Sequence, residues 1–167
     1  MSISMYVASS PRLIAQLKAL DAILAKAAAH AEAKKIDPAV LLASRLFPDM
    51  FAFTRQVQIA CDFAKGTVAR LAGVEVPSYA DNEQTLAELQ ARIAKTIAFI
   101  ETIPAVQIDG SETRDINVKA GPRELQFKGL DYLIGYALPN FYFHVTTAYN
   151  ILRHNGVEIG KRDYLGA

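Results

Sequence analysis

The sequence predicts an all-α fold, a four-helix bundle with a short β-hairpin between helices three and four. Three observations predict it. Four long stretches carry apolar residues every three or four positions, the period of a helix with one buried face. Glycine, proline and capping signals fall between those stretches, and one connection alone, residues 106–127, alternates in polarity as a strand does. The length of 167 residues suits one domain spanning 1–167, and a chain of this size buries about 70% of its surface, enough for a core without metal or disulfide staples.

In helix one, Leu13, Leu17, Leu20, Leu24, Ala27 and Ala31 form the stripe, with Lys18, Lys26 and Lys34 outward. Its start is open between Pro11 as a first-turn residue and a start nearer Ser4 with a kink at Pro11. Asp37-Pro38 is an N-cap followed by a first-turn proline, which predicts a short helix from Pro38 to about Ser44. Pro48 opens helix two on the same logic, from Asp49 to Leu71, with Met50, Phe53, Val57, Ala60, Ala64, Val68 and Leu71 inward and Gly73 just past its end. Helix three starts near Thr85, whose spacing to Glu88 makes a capping box, and carries Leu86, Leu89, Ile93, Ile97 and Ile100 up to Pro104. Within 106–127 the alternating TRDINVK and RELQFK, separated by AGP, read as the hairpin. Helix four covers about Leu130 to Asn155, with Pro139 breaking or kinking it and Asn155-Gly156 ending it, and the polar tail GVEIGKRDYLGA follows.

Eighteen basic and seventeen acidic side chains give a net charge of +1, which supplies no strong field for a nucleic-acid backbone or an anionic membrane. No apolar run reaches the roughly 20 residues that span a bilayer, so neither nucleic acid nor membrane is an expected partner. The single Cys61 lies in the apolar QIACDFA stretch and reads as a small buried hydrophobe. The first twenty residues have no basic leader and apolar run, and a cytoplasmic location is expected.

Eleven of the fifteen aromatic residues fall between Phe47 and Phe63 or between Phe127 and Tyr149, which places aromatic faces of helices two and four at one end of the bundle. They serve either core packing or a pocket whose few polar groups orient a ligand. Asn140 and His144 are four apart and share a face of helix four; Asp49 and Gln56 are seven apart beside Phe53 on helix two. Inward polar groups need partners, so Asp49, Gln56, Asn140 and His144 are expected to satisfy one another or a ligand. The candidate pocket is therefore Asp49, Phe53, Gln56, Asn140, Tyr142 and Tyr149, with His144 as candidate catalytic group; Asp49 has a second reading as a helix-dipole partner, and His144 as a bonded core histidine. His154 in the last turn reads as a dipole partner and His30 as solvated. No HExxH, paired CxxC, phosphate loop or GxSxG elbow occurs, so no cofactor is expected; a divalent metal, if held, would take His144 with Gln56, Asn140 or Asp49.

The segments LFPDMFAFTRQVQIACDFAK, TLAELQARIAKTIAFI and ALPNFYFHVTTAYNILRHNGVEIGKRDYLG resemble the bacterial and fungal family called domain of unknown function nineteen-ninety-three, within the DinB/YfiT-like superfamily grouped as metalloenzymes. The resemblance covers essentially the whole chain. It implies a DinB-like bundle, commonly dimeric, in which many members hold a divalent metal through one histidine on the second helix and an HxxxH pair on the fourth; relatives include thiol-dependent transferases and isomerases. Here Asn140 and His144 have the spacing of that pair, with asparagine in the first place, and Gln56 stands as the match for the second-helix histidine. Amide oxygens are weak donors to transition metals, so the triad is degenerate.

Three functions compete. One is a small-molecule-binding protein or enzyme with its polar pocket between helices two and four, His144 as base or ligand and Tyr142 or Tyr149 as donor. The alternative is a non-catalytic dimeric structural or interaction protein, and the third is a metal-dependent transferase. The likeness and the apolar composition together imply a homodimer, and the small molecule is unnamed.

Overall fold

The computed structural model describes residues 3–167. Both expected starts of helix one occur, because the chain breaks between them. Ser4 caps a one-turn helix, α1 (Met5–Ala8), and α2 (Ser10–Lys34) follows with Pro11 in its first turn. Ser9 sits at the break, with its Oγ donating to the Met5 carbonyl at 2.6 Å while its own carbonyl receives the Arg12 and Leu13 amides.

Asp37 caps α3 (Pro38–Ala43), its carboxylate accepting from the Ala39 amide at 2.9 Å. The next segment corrects the reading of Pro48. The Met50 amide donates to the Phe47 carbonyl at 3.0 Å, so Pro48 and Asp49 are the central pair of a turn, and α4 begins only at Phe53 (Phe53–Ala72). A proline fits the second place of such a turn as well as it fits a first helical turn, and the local sequence does not separate the two. Gly73 ends α4 with φ +71°. The Thr85–Glu88 capping box opens α5 (Leu86–Glu101), with Glu88 N donating to Thr85 Oγ1 at 3.1 Å and Thr85 N to Glu88 Oε2 at 3.0 Å.

Within 106–127 the alternating part alone is extended. Val106 belongs to a helical turn, α6 (Ala105–Ile108), and the hairpin pairs β1 (Asp115–Ala120) with β2 (Arg123–Lys128) around Gly121-Pro122, Ala120 facing Arg123. The last long helix is one rod in three parts: α7 (Gly129–Tyr132), a π-helical stretch (Leu133–Ala137) and α8 (Leu138–His154). Pro139 has no N–H to give, and just before it the Leu138 amide reaches five residues back to the Leu133 carbonyl, widening the helix rather than breaking it. Asn155-Gly156 ends α8 as expected, with Gly156 at φ +87° and the Val157 amide closing on the Leu152 carbonyl at 3.1 Å. The tail is less polar in effect than in composition: Val157 and Ile159 are buried, and α9 (Lys161–Leu165) lies on α2, where Gln16 Nε2 donates to the Tyr164 carbonyl at 2.8 Å and Lys26 pairs with Asp163.

In the bundle, α4 packs against α8 and α5, and α2 against α5 and α8. The core is the aliphatic stripe of each helix, with Tyr132, Phe53 and Phe141 its largest sealed side chains. Gly129 lets the hairpin dock: a Cβ there would lie 1.9 Å from the Ser111 carbonyl oxygen. No described helix is long and apolar enough to cross a membrane.

Candidate functional site

Gln56 reaches the interior because it shares a face of α4 with Phe53 and Ala60, and burying that stripe carries the amide with it. His144 arrives in the same way from α8, one turn after Phe141 and beside Val145 and Ala148. The two are 1% and 8% exposed, and Gln56 Oε1 lies 2.7 Å from His144 Nδ1. Which end of the amide is oxygen follows from its other contact, since Gln56 Nε2 donates to the Phe51 carbonyl at 3.1 Å. An amide oxygen only accepts, so the imidazole proton is on Nδ1 and the lone pair of the neutral ring on Nε2. Among the described residues Nε2 has no hydrogen-bond partner, and it is not one of the sealed, unpaired side-chain atoms; it is the unpaired edge of the ring. Phe63 stacks on the imidazole with centroids 5.9 Å apart and planes 19° apart, and Phe143 meets it edge-on at 5.2 Å.

Burial pushes the His144 pKa down from 6.5 to about 4, and the Arg55 guanidinium acts in the same direction. The ring is neutral at pH 7.

The remaining expected pocket residues divide. Phe53 is sealed in the core. Asn140 lies one turn before His144, but its Nδ2 donates to the Tyr136 carbonyl on its own rod at 2.7 Å. Asp49 is exposed in the Pro48 turn, outside α4, so it neither opens that helix nor complements its dipole. Tyr142 and Tyr149 are half-buried on another side of α8, about 200° and 140° around the helix from His144. Tyr149 meets Tyr164 of α9 edge-on at 5.8 Å, and burial raises the Tyr142 hydroxyl pKa. Of the four polar groups expected to satisfy one another, the structure joins Gln56 and His144.

The three-histidine metal set implied by the resemblance does not fit these positions. Gln56 and Asn140 bring amides already bonded to backbone carbonyls, and His144 is the one imidazole. Among the described residues, no three of His, Cys, Asp and Glu are grouped to hold an ion. Cys61 is sealed, and burial raises its thiol to about 12, the state of an inert core residue.

Sequence reasoning missed a charged cluster around Arg92. Its side chain is 2% exposed; Nη1 donates to Glu83 at 2.9 Å and to the Ala80 carbonyl at 3.0 Å, and Nη2 lies 2.9 Å from both Asp62 and Asp81. Lys65 adds a second cation to Asp62 at 3.1 Å, Gln58 donates to Glu83 at 2.8 Å, and Arg55 pairs with Asp81. The Tyr79 ring lies beneath Lys95, Lys65 and Arg92 at 4.2, 4.8 and 5.5 Å. The cluster clamps the loop between α4 and α5 to both helices. Burial works to raise the Glu83 pKa, but the hydrogen bond from Arg92 leads the opposing effects and the net shift is downward. The signal was present in the sequence: Arg92 sits between Leu89 and Thr96 at the spacing of the buried stripe, three residues past one apolar position and behind the acidic Asp81 and Glu83.

Comparison with known proteins agrees with this architecture. A DinB family member protein from Shewanella denitrificans has a crystal structure that superposes with a TM-score of 0.87, at 47% identity over 97% of this chain and 92% of that one. No curated protein matches the chain. Residues 5–165 match the family described as Domain of unknown function (DUF1993), and the chain, with its DinB-like helical fold, belongs to that family.

Proposed function

We propose that this protein binds a small molecule at the seam of α4 and α8, through Nε2 of His144, without a resident metal. The observation that carries the reading is the Gln56–His144 hydrogen bond, which fixes the proton on Nδ1 and leaves an acceptor on the ring edge that has no partner among the described residues. The complement of such an edge is an O–H or N–H donor on the ligand. Phe143 and Phe63, whose rings meet the imidazole, supply apolar contact for the rest of it. A general base works best with a pKa near the operating pH, and about 4 is far from that, so orientation of a bound donor is favoured over proton abstraction. The lone Cys61, without a disulfide partner, suits a reducing, cytoplasmic setting.

The test is a fragment titration followed by NMR on the wild type and on His144→Gln. Donor-bearing fragments should shift Phe63 and Phe143 in the wild type and not in the variant, while the melting temperature changes by no more than a few degrees. A loss of about 1–3 kcal/mol in the variant, with no fragment reaching those rings, marks a structural histidine instead.

One observation favours the interaction reading. Phe51, whose carbonyl bonds Gln56, and Phe143, whose ring meets His144, are each 56% exposed, and a homodimer covering them would remove that apolar surface from water. Light scattering at micromolar concentration giving twice 18.3 kDa supports that assembly; a monomer mass removes it.

A further inference from the structure

We propose that a second site, between α4 and the β-hairpin, binds a small aromatic carboxylate, with its carboxyl group on Arg70 and its ring among Phe63, Tyr136 and Val118. These residues line a cleft of about 250 Å³ with Asp62 and the end of β1. That is less than the roughly 300–1,000 Å³ of pockets for drug-sized ligands, a space for a single-ring molecule.

Arg70 is the reason for an anion. It is half-buried near the C-terminal end of α4, and among the described residues it pairs with no carboxylate. Its one side-chain partner there is neutral: Nη1 donates to the sealed Tyr132 hydroxyl at 3.2 Å. A guanidinium offers five donors in a planar fork, so most of its capacity is unmet, in contrast to Arg92 with three acids around it. Asp62, the acid in the cleft wall, is held by Arg92 and Lys65 and does not compete.

The position of that guanidinium is built into the sequence. Gly66 lies one turn before Arg70, and a Cβ there would come within 2.5 Å of Arg70 Nη1. The side chain therefore folds back over a bare patch of helix. A glycine inside a helix costs about 1 kcal/mol relative to alanine, so this one trades helix propensity for the space. The walls choose the rest of the ligand: Phe63 and Tyr136 stand 5.9 Å apart at 58°, and Val118 closes the hairpin side. A planar carboxylate matches the fork of one guanidinium, and a flat apolar ring matches these walls. Phe63 has a ring face stacked on His144, so it is a wall of this cleft and a neighbour of the His144 site. The proposal does not depend on the function assigned to His144.

The experiment is an NMR titration with benzoate and, as its neutral isostere, benzamide. Benzoate should give saturable shifts at Phe63, Val118 and Tyr136, and bind about tenfold or more tightly than benzamide. Arg70→Met should remove that preference. Gly66→Ala keeps the charge and improves helix propensity, yet displaces the guanidinium; it should also weaken benzoate about tenfold with the fold intact, so a loss there cannot come from unfolding. Equal binding of benzoate and benzamide by the wild type, full benzoate affinity in Gly66→Ala, or shifts confined to other surfaces would overturn the assignment.

Discussion

Gln56 Oε1 accepts from His144 Nδ1 at 2.7 Å, while the other end of the same amide donates to the Phe51 carbonyl at 3.1 Å. Turning the amide over would set its oxygen against the Phe51 carbonyl, and turning the ring over would put a C–H where Nδ1 stands, so the loop before α4 determines the tautomer of a histidine on α8. The chain links a surface turn to the chemistry of an interior ring through one side chain 1% exposed.

A pH dependence of stability follows. His144 has a folded pKa of about 4 against 6.5 when unfolded, so between those values the unfolded chain binds a proton that the folded chain does not. Stability is then fully present above about pH 6.5 and declines as the pH falls toward 4. Glu83, with its folded pKa lowered from 4.5, adds stability present above 4.5 that is lost as the pH falls further. Urea unfolding of the wild type should show a lower midpoint at pH 4.5 than at pH 7, and His144→Gln should flatten the upper part of that decline. A profile unchanged by the substitution contradicts it.

Arg92→Leu should destabilise the protein by about 3 kcal/mol, the lower end of the range for removing one partner of a buried charge network, because Asp62 and Asp81 retain contact with water. Asp81→Asn, at the exposed edge, should cost less than about 1 kcal/mol. Denaturant midpoints check both, and similar losses in the two variants would show that the cluster has no centre at Arg92.

Gly129→Ala places a methyl group where the Ser111 carbonyl oxygen already is, with backbone on both sides of the clash and the neighbouring Leu130 amide bonded to Glu112 O at 2.9 Å. A loss of about 1–3 kcal/mol is expected. Gly135→Ala, in the π-helical stretch, meets nothing within 4 Å and should not lose stability. Thermal melts of the pair decide whether the close approach anchors the hairpin.

The parts of the fold legible in the sequence are those whose cause is local. Asp37-Pro38, Thr85 with Glu88, Gly73 and Asn155-Gly156 act on amides and carbonyls within a few residues, and each sits at the boundary its chemistry implies. Pro48 serves two local geometries equally, and the choice came from a distant contact, the Phe53 amide on the Ser44 carbonyl at 2.9 Å. The tail escaped because Val157 and Ile159 are too few to show a period. At the site, periodicity placed Gln56 and His144 inward. The same period puts Tyr142 and Tyr149, two before and five after His144, on another side of the helix, and the pocket reading overlooked it. It could not show that Asn140 would turn back on the Tyr136 carbonyl of its own rod.

The most direct test of the account is the nitrogen-15 NMR spectrum of the His144 imidazole across pH 4 to 8. The geometry predicts a neutral ring with its proton on Nδ1 at pH 7, protonated only near pH 4, and a change of tautomer balance in Gln56→Met. A His144 that carries its proton on Nε2 at pH 7, or that titrates near 6.5 like a free imidazole, would contradict the central claim.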